Sequence, residues 1–311
     1  MVADPTTRPD VLPTERLLAS GMCRPELRPA LRRIDNRRNG LSVAALWSTV
    51  IALLTVAVLL DDPVVYLAAF VLMGPVYVRF AILMHEAAHK LLFSNKRMND
   101  WVGTWLIAYP AFTPVQLYRR AHFAHHRVEF GPDEPDMAFY GGYRCTRRTL
   151  LRRLFRDAIG ISGWKNFISL IKAVRVPTAR RMVLGIFGVQ AAMWAISWVA
   201  TGRWWVYPLL WWLPWMTQWR VLNRLRAIAE HGGLEASKDR RATTHNIRQS
   251  WLARFWLVPY NTGWHLAHHV DMGVPWRNLP RFHAELVSAG YVTDALTYPS
   301  YWTFWRSISS A

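Results

Sequence analysis

Residues 41–60 read LSVAALWSTVIALLTVAVLL, a stretch of 20 residues without a charged side chain. At a rise of about 1.5 Å per residue, a helix of this length spans about 30 Å, the thickness of the hydrocarbon layer of a membrane. The polar turn Asp61-Asp62-Pro63 follows, and Pro63 suits the first turn of a new helix. The stretch therefore predicts a membrane span, and the turn predicts that the chain then crosses back.

Three further apolar segments complete two predicted helical hairpins: residues 63–84, 182–201 and 204–219. Residues 101–114 are apolar but too short to cross, so we expect a re-entrant or interfacial segment. Residues 154–174 carry apolar and basic side chains at helical spacing. This pattern is typical of a helix at the membrane interface, and equally of an amphipathic helix that covers a cytosolic domain.

The chain is strongly basic, with 38 Lys and Arg against 20 Asp and Glu and a formal net charge of +18. Such an excess often indicates a nucleic-acid-binding protein. Here, however, 36 of the 38 basic residues lie in residues 1–40, 85–181 and 219–311, which a four-span topology places on one side. The positive-inside rule makes that side cytoplasmic, together with both termini. We therefore expect an integral protein of the cell membrane (the inner membrane in a bacterium) and no nucleic-acid partner.

Nine of the 11 histidines fall into a pattern next to the predicted spans. HEAAH contains His85 and His89, HFAHH contains His122, His125 and His126, HLAHH contains His265, His268 and His269, and His231 stands in AEHGG. Positions i, i+3 and i+4 share one face of a helix, so each motif presents its imidazoles together. The pattern therefore predicts a metal site.

Nine imidazoles exceed the ligands that one ion accepts and suit two ions. Imidazole binds iron, zinc, copper and nickel, so the motifs alone leave the metal open. A pair of redox metals where helices leave the bilayer could activate O₂ and attack an inert C–H bond of an apolar chain. The remaining two histidines, His245 and His283, are expected at the surface or in packing, and the two cysteines exclude a Cys-rich metal site.

The three histidine motifs, spaced across two hairpins, resemble the histidine boxes of the membrane fatty-acid desaturase and hydroxylase superfamily. Residues 265–286, HLAHHVDMGVPWRNLPRFHAEL, are also similar to that family's third box and the segment after it. The resemblance implies an all-α membrane protein with four transmembrane helices in two hairpins and a cytosolic helical cap that holds a di-iron site. It divides the chain into a cytosolic segment (1–40), a membrane desaturase-like domain (41–286) and a cytosolic tail (287–311).

Carried over to this sequence, the resemblance implies that all nine patterned histidines bind the two iron ions. It implies O₂-dependent desaturation of a fatty acyl or similar lipid-like chain, with hydroxylation as the alternative because both reactions begin with removal of a hydrogen. Metal-bound imidazoles usually donate their other N–H to a carboxylate or carbonyl group. Nearby residues that could support the site in this way, or hold a metal-bound water in the case of the amide, are Glu86, Asp136, Glu230, Asn261 and Asp271.

Each turnover that reduces O₂ to water needs two electrons besides those of the substrate. The sequence shows no GxGxxG motif for a flavin or nicotinamide, no cysteine set for an iron–sulfur cluster and no HPGG haem motif. We therefore expect a separate soluble electron donor, such as a ferredoxin, that docks on the basic side.

Three other interpretations explain less of the pattern. HEAAH also fits HExxH, in which His85 and His89 bind zinc and Glu86 is the base of a protease, but this leaves seven patterned histidines unexplained. A dicopper oxidase would use similar ligands, although the boxes and hairpins resemble the desaturases. A metal transporter needs polar ligands within its spans, where this chain offers only Arg79, Gln190 and Gln218.

Overall fold

The structure is a computed structural model, and it describes residues 8–310. It is mostly helical, with one parallel pair of two-residue strands in which Asn246 pairs with Thr297 and Ile247 with Tyr298. Along the chain the elements are α1 (Arg28–Leu31), α2 (Asn36–Leu60), α3 (Pro63–Ala88), α4 (Lys96–Trp101), a π-helix (Val102–Ala108), α5 (Val115–Val128), α6 (Met137–Tyr140), α7 (Arg147–Ala158), α8 (Ile161–Ala173), α9 (Pro177–Thr201), a π-helix (Pro208–Trp212), α10 (Leu213–Met216), α11 (Gln218–His231), α12 (Arg240–Thr243), β1 (Asn246–Ile247), α13 (Trp251–Trp256), α14 (His265–Val270), α15 (Leu279–Ser288), a 3₁₀ turn (Asp294–Leu296), β2 (Thr297–Tyr298) and α16 (Tyr301–Ile308).

The described chain divides into two compact units. The first, which we call the histidine-rich unit, consists of residues 8–34, 119–150 and 224–310. The second, which we call the apolar-helix unit, consists of residues 35–118 and 151–223. The second and third histidine boxes and His231 therefore lie in the histidine-rich unit, and the first box lies in the apolar-helix unit.

The turn predicted after residue 60 is confirmed in the apolar-helix unit. Helix α2 ends at Leu60, and Asp61 takes a left-handed conformation with φ of 48°. The Asp62 carboxylate then accepts hydrogen bonds from the backbone N–H groups of Val64 and Val65, at 2.8 and 3.2 Å. This N-cap, with Pro63 in the first turn, starts α3. Helices α2 and α3 pack against each other as a hairpin.

Within residues 8–310, three helical segments are long and apolar enough to cross a membrane: Arg28–Leu60 (which contains α2), α3 and α9. The fourth predicted span, residues 204–219, consists of a π-helix and the short α10, and Pro208 and Pro214 lie within these pieces. Thr217, with φ of −117° and ψ of −80°, separates α10 from α11. The crossing of the membrane by this segment stays a prediction.

Side chains of neighbouring helices hold residues 101–114, the segment predicted to be re-entrant or interfacial. Trp47 Nε1 donates to the Leu106 carbonyl oxygen at 2.9 Å, and Trp211 Nε1 donates to that of Pro110 at 3.1 Å. The Gln190 amide donates to the carbonyl oxygens of Tyr109 and Pro110 at 2.7 and 3.0 Å. Such partners satisfy irregular backbone that apolar surroundings would otherwise leave without hydrogen bonds. The polar group in the apolar part of α9 is thus a structural anchor.

The core of the histidine-rich unit forms around α14 and α15. Leu266 on α14 and Phe282 and Leu286 on α15 pack with Leu17 and Leu31 from the N-terminal segment, and all five are buried. The predicted cytosolic tail, residues 287–311, carries β2 and α16, whose Phe304 is also buried. These contacts fix α14, and with it the third histidine box.

Candidate metal centre

Seven of the nine patterned histidines lie together in the histidine-rich unit. Helix α5 carries the second box, α14 carries the third, and His231 is the last residue of α11. Each of these seven residues is at most 6% exposed. A buried imidazole requires partners for its polar nitrogen atoms, so burial of seven together calls for a structural or chemical reason.

The ring nitrogens of these histidines converge in two groups. One nitrogen each of His122, His126 and His268 lies within 4.8 Å of the other two, and the same holds for His125, His231 and His269. In the first group, His126 Nε2 lies 3.0 Å from His122 Nε2 and 3.1 Å from His268 Nε2. The spacing of the histidines within each box, together with the fold of the chain between the boxes, therefore brings these six residues into two neighbouring sets of three.

His265 joins the second group. Its Nε2 atom lies 3.1 Å from His231 Nε2 and 3.0 Å from His269 Nε2. Three Nε2 atoms thus point at one small volume, which is the arrangement that a metal ion bound by imidazoles requires.

Oxygen atoms lie beside the opposite ring nitrogens of these three histidines. His231 Nδ1 lies 2.8 Å from the Thr243 carbonyl oxygen, and His269 Nδ1 contacts the Glu129 carboxylate. His265 Nδ1 lies 3.5 Å from Glu230 Oε1. The Thr243 and Glu129 oxygens accept hydrogen bonds from Nδ1–H, which leaves Nε2 of His231 and of His269 with a lone pair.

His265 Nε2 lies 3.0–3.1 Å from both of these nitrogens and can donate a hydrogen bond to only one of them, so nitrogens in this arrangement repel unless a cation lies between them. The donor set therefore fits a metal ion bound by Nε2 atoms, with the rings of His231 and His269 fixed by an oxygen at Nδ1. This is the usual outer support of histidine metal ligands, and it sets both the tautomer and the ring orientation.

His125 has its own carboxylate partner. Its Nδ1 lies 3.0 Å from Glu134 Oε1, and the Tyr140 hydroxyl lies 3.4 Å from the same nitrogen. Burial acts to lower the pKa of His125, but the hydrogen bond and the charge of Glu134 outweigh it and raise the pKa. The carboxylate thus makes this imidazole a more basic ligand.

Burial lowers the pKa of His231 and of His269 well below the ordinary value, and neighbouring imidazoles add to the effect at both residues. Both rings are therefore neutral near pH 7. A histidine must be neutral to give a lone pair to a metal, so the environment prepares both residues for binding.

The residues that the sequence suggested as supports have different surroundings. Glu230 pairs with Arg226 at 2.7 Å and lies near His265, whereas Asp271 binds Arg32 through both carboxylate oxygens at 2.8 and 2.9 Å. Asp136 has a carboxylate oxygen close to His125 and Glu134.

Asn261 belongs to the histidine-rich unit, and Glu86 belongs to the apolar-helix unit. Asn261 takes a left-handed φ of 62°, and its carbonyl oxygen accepts a hydrogen bond from the N–H of Trp264, the residue before the third box. Glu86 is buried on α3, in the apolar-helix unit.

Three supports were not anticipated from the sequence. Glu129 follows His126 by one helical turn, and that spacing is a signal that could have identified it. Glu134 lies in the run GPDEPD, which also reads as a simple turn. The Thr243 carbonyl oxygen has no sequence signal, because every residue has such a group. Arg240 adds a further contact, pairing with Glu129 at 2.6 Å.

The first box lies at the end of α3 in the apolar-helix unit. His85 and His89 are both buried, and their ring centroids are 4.7 Å apart. The two rings therefore share one helix face, as the spacing predicts.

The two histidines outside the boxes are packed. His245 Nε2 lies 2.8 Å from the Gly232 carbonyl oxygen, and His283 stacks on Trp264 with centroids 4.1 Å apart. Burial lowers the pKa of each to about 4.

Comparison with known proteins bears directly on this centre. The family model described as fatty acid desaturase matches residues 61–305, which include all three boxes and His231. The chain belongs to the fatty acid desaturase family. Family membership, together with the histidine clusters and the apolar helices, gives this desaturase-family protein an oxidoreductase role, a capacity to bind metal and an association with membranes.

Individual relatives are also desaturases. Dihydrorhizobitoxine desaturase of Bradyrhizobium elkanii is 27% identical over 271 residues, covering 80% of this chain and 74% of its own length. The chloroplastic omega-6 fatty acid desaturases of Glycine max and Arabidopsis thaliana are 24% and 22% identical, covering 70% and 68% of this chain. The chain spans 55% and 51% of the length of these two plant proteins.

Proposed function

We propose that this desaturase-family chain binds two iron ions and uses O₂ to introduce a double bond into a fatty acyl or similar lipid-like chain. The observation that carries the proposal is the convergence of the Nε2 atoms of His231, His265 and His269, with the opposite nitrogens of His269 and His231 held by Glu129 and Thr243. The names of the relatives favour desaturation over hydroxylation.

In this proposal each ion takes one of the two histidine groups. His122, His126 and His268 hold one ion, His125, His231, His265 and His269 hold the other, and His85 and His89 of the first box complete the ligand set. A pair of iron ions, when bound, supplies O₂ activation and hydrogen removal from an unactivated C–H bond. Glu129 and Glu134 keep His269 and His125 in their binding tautomers, and Asn261 is proposed to hold a metal-bound water.

The zinc-protease interpretation of HEAAH loses its support. It uses His85, Glu86 and His89 alone, whereas the family match covers all nine patterned histidines. The carboxylates and carbonyl that hold the second and third boxes also have no role in that interpretation.

We also propose that the boxes and both termini face the cytoplasm, in a membrane crossed four times. The distribution of 36 of 38 basic residues supports this orientation. Electrons are proposed to come from a soluble donor such as a ferredoxin. An acidic donor would be steered to the basic side by charge, so turnover should fall as ionic strength rises.

Product analysis tests the reaction. Cells that express the chain should accumulate acyl lipids or metabolites with one added double bond, detected by mass spectrometry as the loss of two hydrogens. His126→Ala should abolish the product, and His283→Gln, outside the boxes, should retain it. A product that gains one oxygen instead would identify a hydroxylase and contradict the proposed reaction.

A further inference from the structure

The apolar-helix unit contains a small pocket that is lined by none of the histidines of the proposed centre. It has a volume of about 290 Å³, and its wall includes Phe112 and Thr113, Asn166 and Ser169 on α8, Trp215 on α10 and Arg220 on α11. Leu170 and Ala173 complete the eight described residues of the wall; four of the eight are polar and none is acidic.

Arg220 lacks the partners that a buried cation normally has. Its Nε and Nη2 atoms are buried and have no hydrogen-bond partner among residues 8–310. The guanidinium carbon lies 4.2 Å from the centroid of the Trp215 ring, a cation–π contact that stabilises the charge without occupying its N–H donors. A buried guanidinium with two unused donors is costly unless an anion binds there.

The charge on Arg220 persists in this environment. Burial lowers its pKa to about 10, partly offset by Tyr77 and Asp157. Arg220 is therefore a cation at neutral pH. The Asp157 carboxylate already accepts a hydrogen bond from the Ser162 hydroxyl.

The rest of the pocket suits an oxyanion with an apolar attachment. Asn166 and Ser169 are exposed on α8, one turn apart, and offer amide and hydroxyl donors. Phe112 stacks on Trp215 at 4.3 Å and gives the pocket an aromatic wall. Helix α8 also exposes Trp164 and Ile171, by 52% and 44%, as expected of a helix at a membrane surface.

We propose that this pocket binds the anionic headgroup of an acyl lipid, a phosphate or a carboxylate, with Arg220 as its counter-ion and Asn166 and Ser169 as hydrogen-bond donors. The proposal concerns binding alone and does not depend on the proposed reaction.

Native mass spectrometry of the full-length protein in detergent tests it, with dioleoylphosphatidic acid, oleate, dioleoylglycerol and inorganic phosphate as probes. We expect one phosphatidic acid or one oleate per chain and no specific binding of the uncharged dioleoylglycerol. Tighter binding of phosphatidic acid identifies a phosphate as the headgroup, and tighter binding of oleate identifies a carboxylate. Equal affinity for inorganic phosphate would contradict the lipid part of the proposal.

Variants locate the site. Arg220→Gln should weaken binding at least about tenfold, whereas Lys165→Gln, which removes the same charge from an exposed neighbouring position outside the pocket, should change it less than about twofold. Asn166→Asp adds a like charge at the exposed mouth, so it should also weaken binding without disturbing the fold. Equal losses in Arg220→Gln and Lys165→Gln, or unchanged binding in Arg220→Gln and Asn166→Asp, would overturn the proposal.

Discussion

Glu134 is not a proposed metal ligand, but its contact with His125 should affect the iron affinity of the proposed centre. Its carboxylate holds His125 Nδ1 at 3.0 Å. In Glu134→Gln the amide oxygen still accepts the hydrogen bond, but the negative charge that makes His125 more basic is gone. Iron affinity should therefore fall about 10–100-fold, measured by competition with a chelator. The matched control, Glu285→Gln, removes a surface partner of Arg16 and should leave iron affinity unchanged. Unchanged iron affinity in Glu134→Gln would contradict the role of Glu134.

The sequence predicted which imidazoles lie together better than it predicted the oxygen atoms that bind their Nδ1 atoms. Imidazoles at i, i+3 and i+4 share a helix face, so the content of each box could be predicted. The partners could not, because Glu134 and the Thr243 carbonyl oxygen reach their histidines through loop conformation and tertiary packing. Likewise, Asp271 stands directly after the third box, yet its carboxylate is bound by Arg32.

Among the helices, α8 packs closely against α10 at Gly163. A Cβ atom at Gly163 would lie 2.1 Å from the Met216 carbonyl oxygen, which is backbone and cannot move aside cheaply. Gly163→Ala should therefore lower stability by about 1–3 kcal/mol, seen as a lower midpoint of thermal denaturation in detergent. Gly188→Ala on α9 is the matched control, because nothing lies within 4 Å of its added Cβ. Equal midpoints for the two variants would refute this packing.

The end of α9 lies beside the α2–α3 turn. Arg203 pairs with the Asp61 carboxylate and donates to the Tyr66 hydroxyl at 2.7 Å. In a Cys145→Ser background, cysteines at Asp61 or Gly202 should therefore react with a membrane-impermeant reagent from one side, proposed to be extracellular. A cysteine at the exposed Arg97 should react from the other side. Labelling of Gly202 from the side of Arg97 would overturn the proposed topology.

Elements with a clear periodic or length signal were predictable, and irregular ones were not. Helix α2 follows from one uncharged run, and its turn follows from Asp61-Asp62-Pro63. The segment 204–219 is apolar enough to suggest a span, but Pro208 and Pro214 lie in a π-helix and a four-residue helix. The β1–β2 pair has only two residues per strand, too few for a pattern.

At the scale of the whole molecule, composition and motifs agree on one account. The proposed four-span topology would account for the net charge of +18 without a nucleic-acid partner. The match to the fatty acid desaturase family over residues 61–305 supports the same conclusion from a separate direction. The sequence alone does not distinguish desaturation from hydroxylation, because both reactions begin with removal of a hydrogen.

The metal content of the purified full-length protein shows whether the two histidine groups bind two iron ions. Because the histidines form two groups, we predict about two iron ions per chain by inductively coupled plasma mass spectrometry, with a clear loss in His126→Ala and His269→Ala and none in His283→Gln. One zinc ion per chain, together with peptidase activity that Glu86→Gln removes, would contradict the account.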